Sequence, residues 1–226
     1  MRTPKHFKKW FEAWPQLVCF DLDGTLVDSV PDIALAVDSF LVEQGKSPVG
    51  EDQVRQWVGQ GAASLVRKAM SWVDLDEESY EDCYRSFLIA YKSNLTQKTQ
   101  LYANVLDLLK ALKANHVPMA LVTNKPSAFV KPILEHFEIS DYFSWILGAD
   151  TLEEKKPSPL PLLFCAEAIE AEKDQCVMIG DSQTDSRAAV AASFKNVLVT
   201  YGYHQDVDLK SLEADLLIDD LVELLL

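Results

Sequence analysis
The apolar run Leu17-Val18-Cys19-Phe20 passes without a break into Asp21-Leu22-Asp23-Gly24-Thr25, and this junction constrains the fold more than any other stretch of the chain. A short, wholly apolar segment bounded by a turn signal reads as a strand buried on both faces, the condition met in parallel sheets covered by helices. Such a strand delivers Asp21 and Asp23 to its carboxyl end. Gly24 then permits a sharp turn that a bulkier residue would resist. The carboxyl ends of parallel strands are where ligands sit in this class of sheet.

The rest of the chain extends the same pattern. Pro118 to Val122, Trp145 to Leu147, Cys176 to Ile179, Val197 to Thr200 and Leu216 to Ile218 read as short buried strands. Helices are expected near 104–115, after Pro126, near 160–170 and over 185–192. Alternation of this kind predicts an α/β fold with a Rossmann-like, doubly wound parallel sheet over residues 17–29 and 95–226. Residues 30–94 differ, with helical periods and no strand. A helix starts at Ser29 and Pro31, Gly45 to Gly50 is a break, and further helices cover 53–58, 62–72 and 77–91. This reads as an all-helical cap inserted after the first strand, linked through 24–30 and 93–101. In the extension at residues 1–16, Phe7, Trp10, Phe11 and Trp14 share one helical face among Arg2, Lys5, Lys8 and Lys9. That face is expected to pack on its own domain, since one short helix binds membranes only marginally.

Composition narrows the partners. With 35 acidic and 21 basic residues the net charge is −14, which disfavours nucleic acid and anionic membranes. A phosphorylated ligand would be repelled as well, so any phosphate site must carry local positive charge. Cys19, Cys83, Cys165 and Cys176 lack zinc or redox spacing and read as reduced core residues. No apolar stretch approaches the roughly 20 residues that span a bilayer, and the beginning of the sequence shows no signal-peptide pattern. A cytoplasmic monomer or small homo-oligomer is expected.

Residues far apart in sequence meet at one rim of such a sheet: Asp21 and Asp23, Thr123 and Asn124 after Ala120-Leu121-Val122, Lys156 before Pro157, and Asp181 and Asp185 after Met178-Ile179-Gly180. Several carboxylates in one cleft raise one another's pKa unless a cation joins them. Oxygen donors without histidine or cysteine select a hard ion, here Mg2+. With that charge in place a phosphate dianion can approach Asp21, which can attack phosphorus and form an acyl phosphate. Asp23 can protonate the departing oxygen and later activate water. Thr123, Asn124 and Lys156 supply hydrogen bonds and charge to the phosphoryl oxygens, Asp181 completes the metal shell, and Asp185 orients it from behind.

Asp21-Leu22-Asp23-Gly24-Thr25-Leu26-Val27-Asp28-Ser29, Val122-Thr123-Asn124-Lys125-Pro126, Lys155-Lys156-Pro157-Ser158-Pro159 and Ile179-Gly180-Asp181-Ser182-Gln183-Thr184-Asp185 resemble the four motifs of haloacid dehalogenase-like phosphatases. The resemblance covers nearly the whole chain from Gln16. It implies a phosphoaspartate mechanism dependent on magnesium, with Asp21 as nucleophile, Asp23 as acid and base, and Thr123 and Lys156 as phosphate holders. It also implies Asp21, the Asp23 carbonyl and Asp181 as the metal's protein ligands. Trp57-Val58-Gly59-Gln60-Gly61-Ala62, Thr123-Asn124-Lys125-Pro126 and Thr200-Tyr201-Gly202-Tyr203 are similar to the phosphoglycolate phosphatase branch. The chain departs from that branch at Ala103-Asn104, where Pro-Gly is usual, and at Ser193, where glycine is usual. Asn104 can cap a helix and tolerates unusual backbone angles.

The implied reaction is hydrolysis of a small phosphorylated metabolite, with 2-phosphoglycolate first. Substrate choice is expected in the cap, where Gly59, Gln60 and Gly61 form a loop before the positive end of a helix. Arg67 and Lys68 either add charge above the cleft or lie on a solvated helix face. A dehalogenase is disfavoured by the presence of Asp23. A phosphosugar mutase or phosphatase, a pyrophosphatase, a nucleotidase and a phospholigand-binding protein without catalysis stay as alternatives.

Overall fold
The computed structural model describes residues 4–205 and 207–226; Arg2 of the basic N-terminal segment lies outside them. The chain runs through α1 (Lys5–Phe11), β1 (Leu17–Phe20), β2 (Val27–Asp28), α2 (Val30–Glu43), α3 (Glu51–Arg55), α4 (Ala62–Trp72), α5 (Tyr80–Asn94) and β3 (Gln100–Leu101). It continues with α6 (Val105–Ala114), β4 (Met119–Val122), α7 (Ser127–His136), β5 (Trp145–Leu147), α8 (Leu160–Glu167), β6 (Cys176–Gly180), α9 (Gln183–Ala192), β7 (Lys195–Val199) and β8 (Leu216–Ile218).

Six strands form one parallel sheet in the order β5-β4-β1-β6-β7-β8. The α/β class expected from the alternation is the class observed. β1 lies between β4 and β6, so the chain winds to one side through β4 and β5 and to the other through β6, β7 and β8. The crevice of a doubly wound sheet opens at this reversal. All residues of β1, β4 and β6 are buried, as their unbroken apolar runs require, and all four cysteines are buried and free.

Between β2 and β3 the described structure is helical. α2 and α5 pack along each other, with α3 against α2 and α4 against both α2 and α5. The first of these helices is 30–43, and the last runs to Asn94 after a 3-10 turn at Glu77–Ser79. The short helix expected over 53–58 ends earlier, at Arg55. Two strands, Val27 opposite Leu101 and Asp28 opposite Gln100, tie the two passes of the chain together where they enter and leave this helical segment.

At the N-terminus, α1 buries Phe7 and Phe11 and packs on the final 3-10 turn, Leu221–Leu225. Its aromatic face is therefore covered by its own chain. Two other local readings change. Asn104 adopts the left-handed conformation (φ 59°) at the start of α6, yet its side chain does not cap the helix. Its amide instead donates to the Asp220 carboxylate at 2.8 Å, joining α6 to the C-terminus. Ser29 precedes α2 without capping it, because its hydroxyl is turned to Asp23. Ser193 also takes the left-handed conformation (φ 62°), where the smaller glycine is usual.

Candidate active site
Backbone pairing sets the position of the two central acids and the threonine. The Asp21 N–H donates to the Ile179 carbonyl and the Thr123 N–H to the Leu147 carbonyl, each at 2.9 Å, so both residues prolong the ladder by one step. Asp181 follows β6 directly, and Lys156 arrives from the loop between β5 and α8. Asp21, Thr123, Lys156, Asp181 and Asp185 are all buried at this carboxyl rim.

One lysine serves two carboxylates. Lys156 Nζ lies 2.6 Å from Asp185 Oδ1 and 2.8 Å from Asp21 Oδ1, with its side chain only 1% exposed. Burial alone would lower its pKa, but Asp185 and Asp21 more than offset that, and the ammonium is held well above its ordinary value. The other oxygen of Asp185 accepts from the N–H of Asp181, the N–H of Ser182 and the Ser182 hydroxyl. This is a capping box at the start of α9, so both oxygens of Asp185 are fully occupied. Asp185 therefore fixes the Asp181-Ser182 backbone and Lys156.

Asp181 receives hydrogen bonds from the Thr25 hydroxyl at 3.2 Å and from the backbone N–H of Tyr203. Gly24 makes room for it. At φ +89°, a Cβ on Gly24 would lie 2.1 Å from Asp181 Oδ2. The glycine of the first motif thus serves the last acid of the cluster as well as its own turn.

Three carboxylates, Asp21, Asp181 and Asp185, bring oxygens within 4.8 Å of one another against a single ammonium. Burial first, then the neighbouring acids, push Asp21 up to about 6 and Asp181 well above the carboxylate range, while Lys156 pulls the other way. Asp21 Oδ1 has no aligned hydrogen-bond donor, despite the ammonium close by. Excess buried negative charge and all-oxygen donors together fit a hard divalent cation.

Asp23 stands a little apart. It accepts from the Ser29 hydroxyl and forms an ion pair with Lys125, whose Nζ lies 2.8 and 3.1 Å from its two oxygens. Lys125 also sits over the Tyr91 ring, 4.7 Å from its centre. Lys125 belongs to the Thr123-Asn124-Lys125-Pro126 motif, which by itself assigns it no role, and Tyr91 belongs to no motif. The available signal was a lysine next to proline just past a strand end, and a tyrosine on the apolar face of a cap helix.

Asn124 lines the cleft beside Thr123. Its side-chain N–H donates to the Lys156 carbonyl at 2.9 Å and more weakly to the Gly59 carbonyl, so the amide braces the lysine loop. Thr123 keeps its hydroxyl near the rim, accepting from the Lys125 N–H. Arg67 pairs with Glu77 and stacks on Tyr80, and Lys68 donates to the Trp57 carbonyl. Neither reaches the cleft, which corrects the idea that they add charge above it.

The cleft holds a cavity of about 40 Å³, room for two or three waters. Asp21, Asp23, Thr123 and Lys125 form its polar side, and Ile33, Leu65, Phe87 and Phe129 its apolar side. Gly59 and Gly61 line it, whereas the Gln60 side chain turns away to accept from Ser64. The loop over 58–60 is held by groups from outside the helical segment: Gln205 donates to the Val58 carbonyl, Lys155 to that of Gln60, and Asn124 to that of Gly59. Opposite, the Tyr203 hydroxyl donates to Asp28, which also binds Arg55 of α3. Tyr203 therefore joins the backbone that holds Asp181 to the base of the helical segment.

Gly61 is in a left-handed conformation (φ +93°), and a Cβ there would meet the Asn124 carbonyl at 2.9 Å and Lys155 Nζ at 3.1 Å. Gly61→Ala is expected to prevent this loop from seating, lowering kcat/KM roughly 10-fold at a stability cost of about 1 kcal/mol. Steady-state kinetics beside a denaturant melt check this. A fall in stability alone, with kcat/KM intact, would show that seating of the loop does not matter to turnover.

Residues 18–199 match the haloacid dehalogenase-like hydrolase family. Phosphoglycolate phosphatase of Pseudomonas putida is 44% identical over 215 residues, covering 93% of this chain and 79% of the relative. Phosphoglycolate phosphatase of Nitrosococcus oceani is 40% identical over 93% of this chain and 95% of its own length. Among solved structures, a predicted phosphoglycolate phosphatase from Haemophilus somnus superimposes with a TM-score of 0.90 at 38% identity, over 93% of this chain and 96% of that one.

Proposed function
Because this chain belongs to the haloacid dehalogenase-like hydrolase family and is a phosphatase of that family, we propose that it hydrolyses 2-phosphoglycolate to glycolate and phosphate, with magnesium and a phosphoaspartate on Asp21. The observation that carries this reading is the buried cluster of Asp21, Asp181 and Asp185 around Lys156, beside a cleft lined by Asp21, Asp23 and Thr123. Asp21, the Asp23 carbonyl and Asp181 would hold the magnesium ion, which when bound neutralises charge on the phosphoryl oxygens and the carboxylates.

The residues then divide the work. A carboxylate oxygen of Asp21 forms a bond to phosphorus as the ester oxygen leaves, and Asp23 gives that oxygen its proton. In the second half, Asp23 takes a proton from water, whose oxygen displaces the Asp21 carboxylate from phosphorus. Thr123 and Lys156 hold the phosphoryl oxygens, and Lys156 keeps Asp21 aimed because Asp185 keeps Lys156 aimed. Asn124 supports the same lysine through its backbone carbonyl. Residues 30–94 act as a cap whose seated loop excludes bulk water. The chain works on a small cytoplasmic metabolite; among its described residues no helix is long and apolar enough to cross a membrane.

A substrate comparison tests the reading. With magnesium, kcat/KM for 2-phosphoglycolate should exceed that for sugar phosphates, pyrophosphate and nucleotides by roughly 100-fold or more. Free phosphate should form, and chelator should stop it. An isomerised sugar phosphate as product, a need for a bisphosphate activator, or undiminished turnover in chelator would each refute it. Magnesium affinity should also fall with pH. Asp21 titrates near 6 in the metal-free protein, so below that value the ion must displace a proton. The thermal shift produced by magnesium is expected to be large at pH 8 and small at pH 5.

A further inference from the structure
Lys156 is committed to Asp21 and Asp185, which leaves Lys125 as the one cationic side chain among the described residues that line the cavity. Its side chain is 3% exposed, lies over the Tyr91 ring and is ion-paired with Asp23. Beside it, the Tyr91 hydroxyl is buried with no hydrogen-bond partner, although Tyr91 also lines the cavity. A buried unpaired hydroxyl costs free energy, and one beside a cation is a ready second donor for an anion. Burial first pushes Tyr91 up to about 12, so it carries its proton at neutral pH.

The position of this pair matters. Asp23 is the group that meets the leaving oxygen, and Lys125 touches both oxygens of Asp23. A carboxylate one carbon beyond the leaving oxygen comes within reach of the same ammonium. Around it, Ile33, Leu65, Phe87 and Phe129 offer nothing to a hydroxyl-rich group. Lys125 comes from the loop after β4 and Tyr91 from α5, so the two donors meet only when the helical segment sits over the sheet.

Granted the phosphatase reading above, on which this rests, we propose that Lys125 and Tyr91 form the specificity site for a carboxylate on the substrate, Lys125 exchanging its hold on Asp23 for the substrate's carboxylate as the cleft fills. Two consequences follow from one exchange. A carboxylate-bearing ester is selected over its neutral counterpart, and Asp23 is released toward the leaving oxygen only when that ester is present.

The test is the ratio of kcat/KM for 2-phosphoglycolate to that for 2-hydroxyethyl phosphate, a matched ester without the carboxylate. Lys125→Met should lower this ratio roughly 10- to 100-fold and Tyr91→Phe roughly 10-fold, mainly through KM for 2-phosphoglycolate. Lys125→Arg should restore part of it. A wild-type ratio near one would overturn the substrate reading itself. A high wild-type ratio that survives in Lys125→Met, or an equal loss on both esters, would overturn only the role given to Lys125.

A second measurement leaves residue 125 intact, in case its replacement does not fold. In Asp23→Asn the ammonium loses its partner, so the binding of 3-phosphonopropionate should tighten roughly 10-fold over wild type, while 3-hydroxypropylphosphonate is unchanged. Equal changes for the two phosphonates, or none, would contradict the exchange.

Discussion

Asp21→Asn is expected to fold as the wild type does and to lose turnover of 2-phosphoglycolate by roughly 10⁴-fold or more. The amide has the shape of the carboxylate but cannot supply the oxygen that bonds to phosphorus. The fold should not suffer, because Lys156 keeps its contact with Asp185 and the variant removes one of three crowded negative charges. Stability even rises without metal. Asp21 has its pKa raised in the fold to about 6, mainly by burial, against an ordinary value of 3.8. A carboxyl raised in this way favours the fold below about pH 4, and that contribution is lost as pH climbs through 6. At pH 7.5 the metal-free wild type therefore carries an ionisation cost, of order 1–3 kcal/mol, that Asn lacks. Melts without magnesium should place Asp21→Asn above wild type at pH 7.5, with the gap closing near pH 4. Magnesium should then stabilise wild type far more than the variant. Near-normal phosphate release by Asp21→Asn would remove the nucleophile.

Lys156→Met is expected to damage both stability and activity. Met approximates the length of the side chain but leaves Asp21 and Asp185 without the cation that lies within 2.8 Å of each. Breaking a buried pair from one side commonly costs about 3–5 kcal/mol, since the abandoned charge has no water to return to. Here two carboxylates are abandoned. Losing a charged holder of the transferring group adds a kinetic loss of roughly 10²- to 10³-fold. The two effects separate by condition: lowering the pH toward 5 or adding magnesium should recover stability, because each reduces the unpaired negative charge, but neither should recover turnover. Differential scanning melts at pH 5 and 7.5, beside phosphate release, distinguish them. A variant as stable as wild type at pH 7.5 without metal would mean that the acids are ionised far less than this geometry implies.

The architecture was largely legible in the sequence because buried parallel strands have to be apolar on both faces. Val18-Cys19-Phe20 and Cys176-Val177-Met178 could hardly be anything else, and the acids placed after them met at one rim. Residue types whose chemistry is local were also readable: Asp21, Asp185 and Lys156 lie together as their strand ends required. Groups whose partner is set only in three dimensions were not. Ser29 and Asn104 look like helix caps, since their short polar side chains can reach the backbone, but each has a better acceptor elsewhere, Asp23 and Asp220 respectively. The bond by which Asn124 braces the Lys156 loop is likewise set only in three dimensions. Lys125 stands in a motif, but a lysine beside proline at a loop carries no periodicity that assigns it a partner; burial against Tyr91 and Asp23 does. The side on which Arg67 and Lys68 fall was open for the same reason: their partners, Glu77, Tyr80 and the Trp57 carbonyl, are met only in the fold.

The most direct test of the central claim is to trap the covalent intermediate. Wild-type protein mixed with magnesium and 2-phosphoglycolate labelled in its phosphoryl group should, on acid quenching within one turnover, carry label in the peptide that contains Asp21. Borohydride reduction should convert residue 21, and not Asp23 or Asp181, to homoserine. Label on another residue, or complete turnover with no labelled protein at any quench time, would contradict a mechanism in which Asp21 becomes phosphorylated.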